Sequence, residues 1–187
     1  MGLYRKLKYI VNKFGLKPLV DVIIFAAITY GLHWLWWNVW WKLGDGGGFF
    51  AFLPQIADWL AYHVYLNSSW FLDLIAVKHI AADNTLIFPG TGYVAVVKSC
   101  SGLKQFYQIL FLFLLFPGPW KHKAWYIPAS LLLMYLVNVF RIVALSLVLF
   151  VWPDLWDFIH SWVLRPFFYV VIFAEWVVWN EYFRKKV

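Results

Sequence analysis

Runs of about twenty mostly apolar residues constrain this chain most, because a helix rising 1.5 Å per residue needs about that many to cross a hydrocarbon core of about 30 Å. Residues 19–41, LVDVIIFAAITYGLHWLWWNVWW, form one such run and end in a belt of tryptophans. Further apolar segments follow at about 102–117, 124–151 and 162–181, joined by GPWKHK and WPDLWDFIHS. The pattern predicts an all-α integral membrane helical bundle of about four spans, a single membrane domain over 1–187. Hydrophobic residues make up 64% of the chain and charged residues only 13%, far from a soluble globular composition. The net charge of +7 is not a nucleic-acid footprint, since the lysines and arginines sit beside apolar runs, where they set membrane orientation; nucleic acid is excluded as a partner.

The basic clusters fall before residue 19, at Lys121 and Lys123, and at the C-terminal RKK. All three fit one topology in the cytoplasmic (inner) membrane, with both termini cytoplasmic and 42–101 and the turn at 152–161 on the far side. The first apolar run is too long for a signal-peptide core and has no A-x-A cleavage pattern, so it reads as a retained span. Segments 49–66 and 70–81 carry Pro54, Asp58, Asp73 and Lys78 and suit interfacial helices better than spans. The stretch NTLIFPGTGYVAVVKSCSG places two β-branched and aromatic runs around Pro-Gly-Thr-Gly and predicts a short extracytoplasmic β-hairpin. Residues 102–181 would then form a three-span core.

Cys100 is the only cysteine, so no internal disulfide is possible, and no CxxC or HExxH spacing points to a metal. It lies about 17 residues from Pro117, and Arg141 lies about 18 residues from Lys123, or roughly 26 and 27 Å along their helices. His160 precedes Trp179 by about 19 residues, roughly 28 Å by the same rise. Three residues from three helices are therefore expected at one depth near the outer interface.

An arginine inside a span needs an anion or acceptors, and a thiolate would serve. Cys100 precedes Ser101 and Gly102 at an expected helix N-terminus, where free backbone N–H groups and a guanidinium favour the anionic thiol form. The imidazole of His160 titrates near neutrality and is suited to take the thiol proton and return one to a leaving amine. Arg141 is then available for an oxyanion. Asn138 stands three residues before Arg141 on the same helical face, placed to orient the guanidinium or bind a substrate carbonyl.

Each feature also has a plainer reading. A lone membrane cysteine is commonly a small buried hydrophobe, and an intramembrane arginine is commonly one half of a structural ion pair. Glu175, mid-span, is expected neutral or paired, in a structural contact; His33 and His63 sit among aromatics as interfacial residues. Lys104 and Gln105 either line the pocket of Cys100 or snorkel outward. A small transporter or channel component, or a non-enzymatic assembly scaffold, would make Cys100 incidental. The shared depth of the three residues favours a catalytic site.

Ser99-Cys100-Ser101-Gly102, the Asn138-Val-Phe-Arg141 run, and His160 ahead of the last span resemble the exosortase/archaeosortase family, over roughly residues 85–181. The family pattern is a Cys-Ser-Gly, an Asn-x-x-Arg and a His, each at the outer end of a different transmembrane helix. The resemblance implies a membrane-embedded cysteine protease or transpeptidase with Cys100 as nucleophile, Arg141 as oxyanion or thiolate partner and His160 as general acid or base. Its partners would be exported proteins whose C-terminal sorting signal combines a short motif, a transmembrane helix and a basic tail. Membrane lipid and a possible glycolipid or polysaccharide acceptor complete the set, with no metal or organic cofactor. This chain is shorter than many members, with few spans ahead of the cysteine, which leaves the recognised motif and the acceptor open.

Overall fold

The computed structural model describes residues 17–40, 42 and 51–184. Among the described residues three helices are long and apolar enough to cross a membrane: α1 (Lys17–Trp40), α4 (Trp120–Val151) and α5 (Pro153–Arg184). The chain is a membrane protein. Between these helices come α2 (Phe52–Leu74), three strands and a short α3 (Leu103–Leu115).

At 13 residues α3 is about 20 Å long, short of a full crossing, where the sequence analysis placed a span over 102–117. Its last turn is tied off by a neighbour, the buried Lys123, whose Nζ donates to the Leu114 carbonyl at 3.0 Å. Lys123, expected in a connector, therefore lies inside α4, which begins at Trp120 and takes up most of that connector. The apolar core joins α1, α3, α4 and α5 through Leu32, Ile109, Phe113, Met134, Phe168, Ile172 and Trp179. At one end of this bundle Arg184 pairs with Asp21 at 2.8 Å, so the start of α1 and the end of α5 lie together.

The region from 49 to 81 differs from its expected form. In place of two interfacial pieces there is one 23-residue helix, α2, which runs without a break through Asn67, Ser68 and Ser69. Tertiary partners satisfy two of these polar residues: Asn67 donates to the Tyr135 hydroxyl, and Ser69 bonds to His79 Nε2 at 2.8 Å, while the buried Ser68 hydroxyl has no partner among the described residues. Ala61, Val64 and Leu72 face the sheet and α4.

The expected hairpin is present, but a third strand extends it. Strands β1 (Ile80–Ala82), β2 (Thr85–Phe88) and β3 (Gly92–Ala95) form an antiparallel sheet in sequence order. Asp83 and Asn84, both at positive φ, make the two-residue β1–β2 turn, and the loop after Phe88 closes β2 onto β3. One sheet face, with Leu86, Phe88, Val94 and Val96, packs against Val139 and Ile142 of α4. Near the Val151 end of α4, Phe88 meets Phe150, with ring centroids 6.2 Å apart.

Candidate active site

After β3 the chain makes a single 3-10 turn, Lys98–Cys100, before entering α3. The turn is closed by the Cys100 N–H, which donates to the Val97 carbonyl at 2.7 Å. Ser101 is 2% exposed, and its hydroxyl accepts from the Leu103 N–H at 3.2 Å, fixing the first turn of α3. Gly102 sits at φ +81°, the left-handed region open to glycine, and a Cβ there would lie 3.0 Å from Asn138 Nδ2.

Asn138 is fully buried and donates from Nδ2 to the Cys100 carbonyl at 2.8 Å. It therefore holds the cysteine backbone and does not bond to the Arg141 guanidinium. Replacing Gly102 by alanine combines left-handed strain with displacement of this buried amide. The expected cost is about 1–3 kcal/mol, read as a lower unfolding temperature in detergent and a changed rate of Cys100 alkylation.

Arg141, 8% exposed, donates from Nη2 to His160 Nε2 at 3.1 Å. A guanidinium only donates, so Nε2 is the acceptor and the imidazole proton resides on Nδ1. Cys100 lies close enough to interact with the Arg141 charge. There is no Cys100–His160 hydrogen bond; Arg141 bonds to His160, and all three residues line one cavity. The His160 ring stacks at 4.7 Å on Trp156 one turn earlier, within a π-helical stretch at Ile159–Leu164. Arg141 also covers the Phe168 ring at 5.4 Å, and its Nε is buried without a partner.

These residues share a cavity of about 510 Å³ whose wall includes Cys100, Lys104, Arg141, His160, Arg165 and Tyr169. Among the described residues no aspartate or glutamate lines it. Lys98 at the rim is matched by Asp58 at 3.1 Å, whereas Lys104, Arg141 and Arg165 have no carboxylate partner among the described residues. Such an enclosure favours a group that carries or acquires negative charge. Lys104 faces inward, its Nζ 3.4 Å from the Tyr169 hydroxyl, and Gln105 lines the same space.

His33, assigned by sequence to an interfacial place, instead lines this cavity and bonds to Tyr169 at 3.0 Å. Arg165 was missed, although an arginine set in WVLRPFF carries the same signal that singled out Arg141. Glu175 lies away from the cavity between α4 and α5, buried, with neither carboxyl oxygen hydrogen-bonded. Among the described residues no cluster of His, Cys, Asp or Glu could hold a metal ion.

No curated protein and no solved structure matches the chain. The family model for transmembrane exosortases matches residues 48–174, taking in α2, the sheet and the cavity wall from Lys98 to Tyr169, but not His33, Trp36 and Trp37. More than half of the chain is covered, from before α2 to the residue preceding Glu175, and the chain accordingly belongs to the transmembrane exosortase family.

Proposed function

We propose that this chain is a membrane-embedded cysteine endopeptidase or transpeptidase that cuts the C-terminal sorting signal of exported proteins through a thioester. The observation that carries this reading is the Arg141–His160 hydrogen bond in the cavity that Cys100 also lines, with basic residues and, among the described residues, no carboxylate in its wall. In the resting arrangement His160 Nε2 holds a free electron pair that only the guanidinium occupies. Transfer of the Cys100 thiol proton to Nε2 creates an imidazolium, which no longer accepts from Arg141. One proton transfer thus yields the thiolate and releases the guanidinium.

The thiolate adds to the peptide carbonyl, and Arg141 donates to the oxygen as it becomes negative. Collapse of the adduct breaks the C–N bond, the His160 proton goes to the departing amine, and the acyl group stays on Cys100. Water, or an amine or hydroxyl of a glycolipid or polysaccharide acceptor, then attacks the thioester and regenerates the thiol. Asn138 and Gly102 act in this scheme by holding the Cys100 main chain, and Ser101 by fixing the start of α3. The site opens at the extracytoplasmic face of the cytoplasmic membrane, and both termini are cytoplasmic.

The test compares C-terminal peptides of exported proteins from host cells with the chain present and with it deleted. Proteins ending in a hydrophobic helix and basic tail are expected to lose that tail only when the chain is present. Identical processing in both strains would remove the protease reading and leave a transport or scaffold role.

A further inference from the structure

The sheet has an unpaired edge that leads to Cys100. The Val96 N–H donates to the Asn84 carbonyl at 2.8 Å, and β3 pairs Val94 with Leu86 and Gly92 with Phe88. Hydrogen-bonded pairs alternate along an antiparallel ladder, so residues 92, 94 and 96 bond toward β2, and Tyr93, Ala95 and Val97 direct their N–H and C=O groups away from it. The main-chain groups of Tyr93 and Ala95 have no backbone partner among the described residues. Tyr93 is 68% exposed, Val97 53%, and Ala95 is exposed as well.

Val97 faces the same way, yet its carbonyl is taken, and the group bonded to it is the Cys100 N–H at 2.7 Å. This turn bond puts the Cys100 N–H on the side of Val97 to which the open edge at Ala95 and Tyr93 also faces. Gly92, at the far end of β3, lies against Leu149, whereas Cys100 lies against Asn138. The open edge thus descends about 16 Å along α4 and ends on the cysteine. Unpaired backbone of this kind is not stable against lipid hydrocarbon, which places the edge in water or against a polypeptide.

We propose that the outer edge of β3 is the docking strand for substrate: an extended segment of the exported protein, immediately N-terminal to the cut, pairs with Tyr93 and Ala95 and delivers its carbonyl to Cys100. This deepens the protease reading and rests on it. Main-chain pairing reads no sequence, so it holds any extended segment, while alternate side chains meet the sheet faces. The acyl half of the cut protein stays paired to β3 while the thioester waits for its acceptor, and the amine half departs with the transmembrane helix.

Proline tests the edge. Ala95→Pro removes an N–H with no backbone partner among the described residues, a substitution edge strands tolerate, but it breaks an added strand. In membranes supplied with a tail-bearing exported protein of the host, Ala95→Pro is expected to raise KM about tenfold or more, with kcat changed less than about twofold. Alkylation of Cys100 by a small maleimide should keep its wild-type rate. Ala81→Pro, with its N–H on the opposite open edge of the sheet, should process normally.

A second measurement does not depend on how Ala95→Pro folds. In a Cys100→Ala background, Tyr93→Cys should form a disulfide with a reporter cysteine two to four residues ahead of the cut, and none with a cysteine in the tail. Processing by Ala95→Pro at the wild-type KM, or equal crosslinking to both reporter positions, would overturn the docking strand alone. Processing that ignores Cys100 altogether would overturn the protease reading, and the docking strand with it.

Discussion

Cells carrying Cys100→Ala are expected to accumulate exported proteins with intact C-terminal tails, cleavage falling at least about 10³-fold to the background rate, at an unchanged membrane level of the chain. The side chain is partly exposed and packs at the border of the sheet cluster, so losing one sulfur removes little buried surface. Folding and catalysis are therefore separable at this position. Cys100→Ser gives a second comparison, because a hydroxyl is far less acidic than a thiol and His160 must remove its proton against a larger barrier. It should sit close to the alanine variant, well below wild type. Quantifying tailed and tail-free peptides by mass spectrometry in the three strains checks this. Wild-type processing in Cys100→Ala would mean that the nucleophile lies elsewhere.

Arg141→Ala should lower the cleavage rate by about 10²–10³-fold, the usual consequence of removing one donor to a developing oxyanion. The effect divides into two measurable parts. Loss of the guanidinium charge beside the sulfur slows alkylation of Cys100 by a small maleimide, which involves no substrate. Loss of the donor slows cleavage further, beyond that change. Arg141→Lys restores a charge but not the planar fork that reaches His160 Nε2 while lying over Phe168. It should therefore recover much of the alkylation rate and little of the cleavage. Equal recovery of both would assign Arg141 to the thiolate alone and leave the oxyanion to another group.

Much of this arrangement is readable from residue order because lipid permits few solutions. Apolar length and tryptophan belts locate α1, α4 and α5, and counting residues along helices anticipates that Arg141 and His160 meet. Local reading failed where polar residues find distant partners. Asn67, Ser68 and Ser69 interrupt an apolar pattern, yet α2 continues through them, with Tyr135 and His79 supplying bonds to Asn67 and Ser69. The β1–β2 turn has a usable signal in Asp83-Asn84, but Ile80 and Ala81 of β1 fall within the helix expected over 70–81, which leaves the turn without its first strand.

The role first given to Asn138 follows from its spacing to Arg141, but spacing does not reveal that Gly102 brings the Cys100 carbonyl within reach of its amide. Nor does an aromatic neighbourhood around His33 show that Tyr169, on the last helix, draws it into the cavity. Both are contacts between segments far apart in sequence, set by how helices pack and not by their periodicity.

The shortness of α3 makes the site a measuring device. Cys100 stands at the head of a 13-residue helix, while α4 rises ten residues past Arg141 to Val151, about 15 Å higher, with the sheet packed along it. The Cys100 sulfur thus lies below the outer end of α4 and its sheet, and under the proposed reading a folded domain resting on that end would have to reach it through extended chain. About five extended residues bridge that height at 3.3 Å each. If the chain cuts exported proteins as proposed, one whose last folded element ends closer than this to its cleavage point would be out of reach, whatever motif it carries, and the slack between domain and signal would become a condition for being sorted.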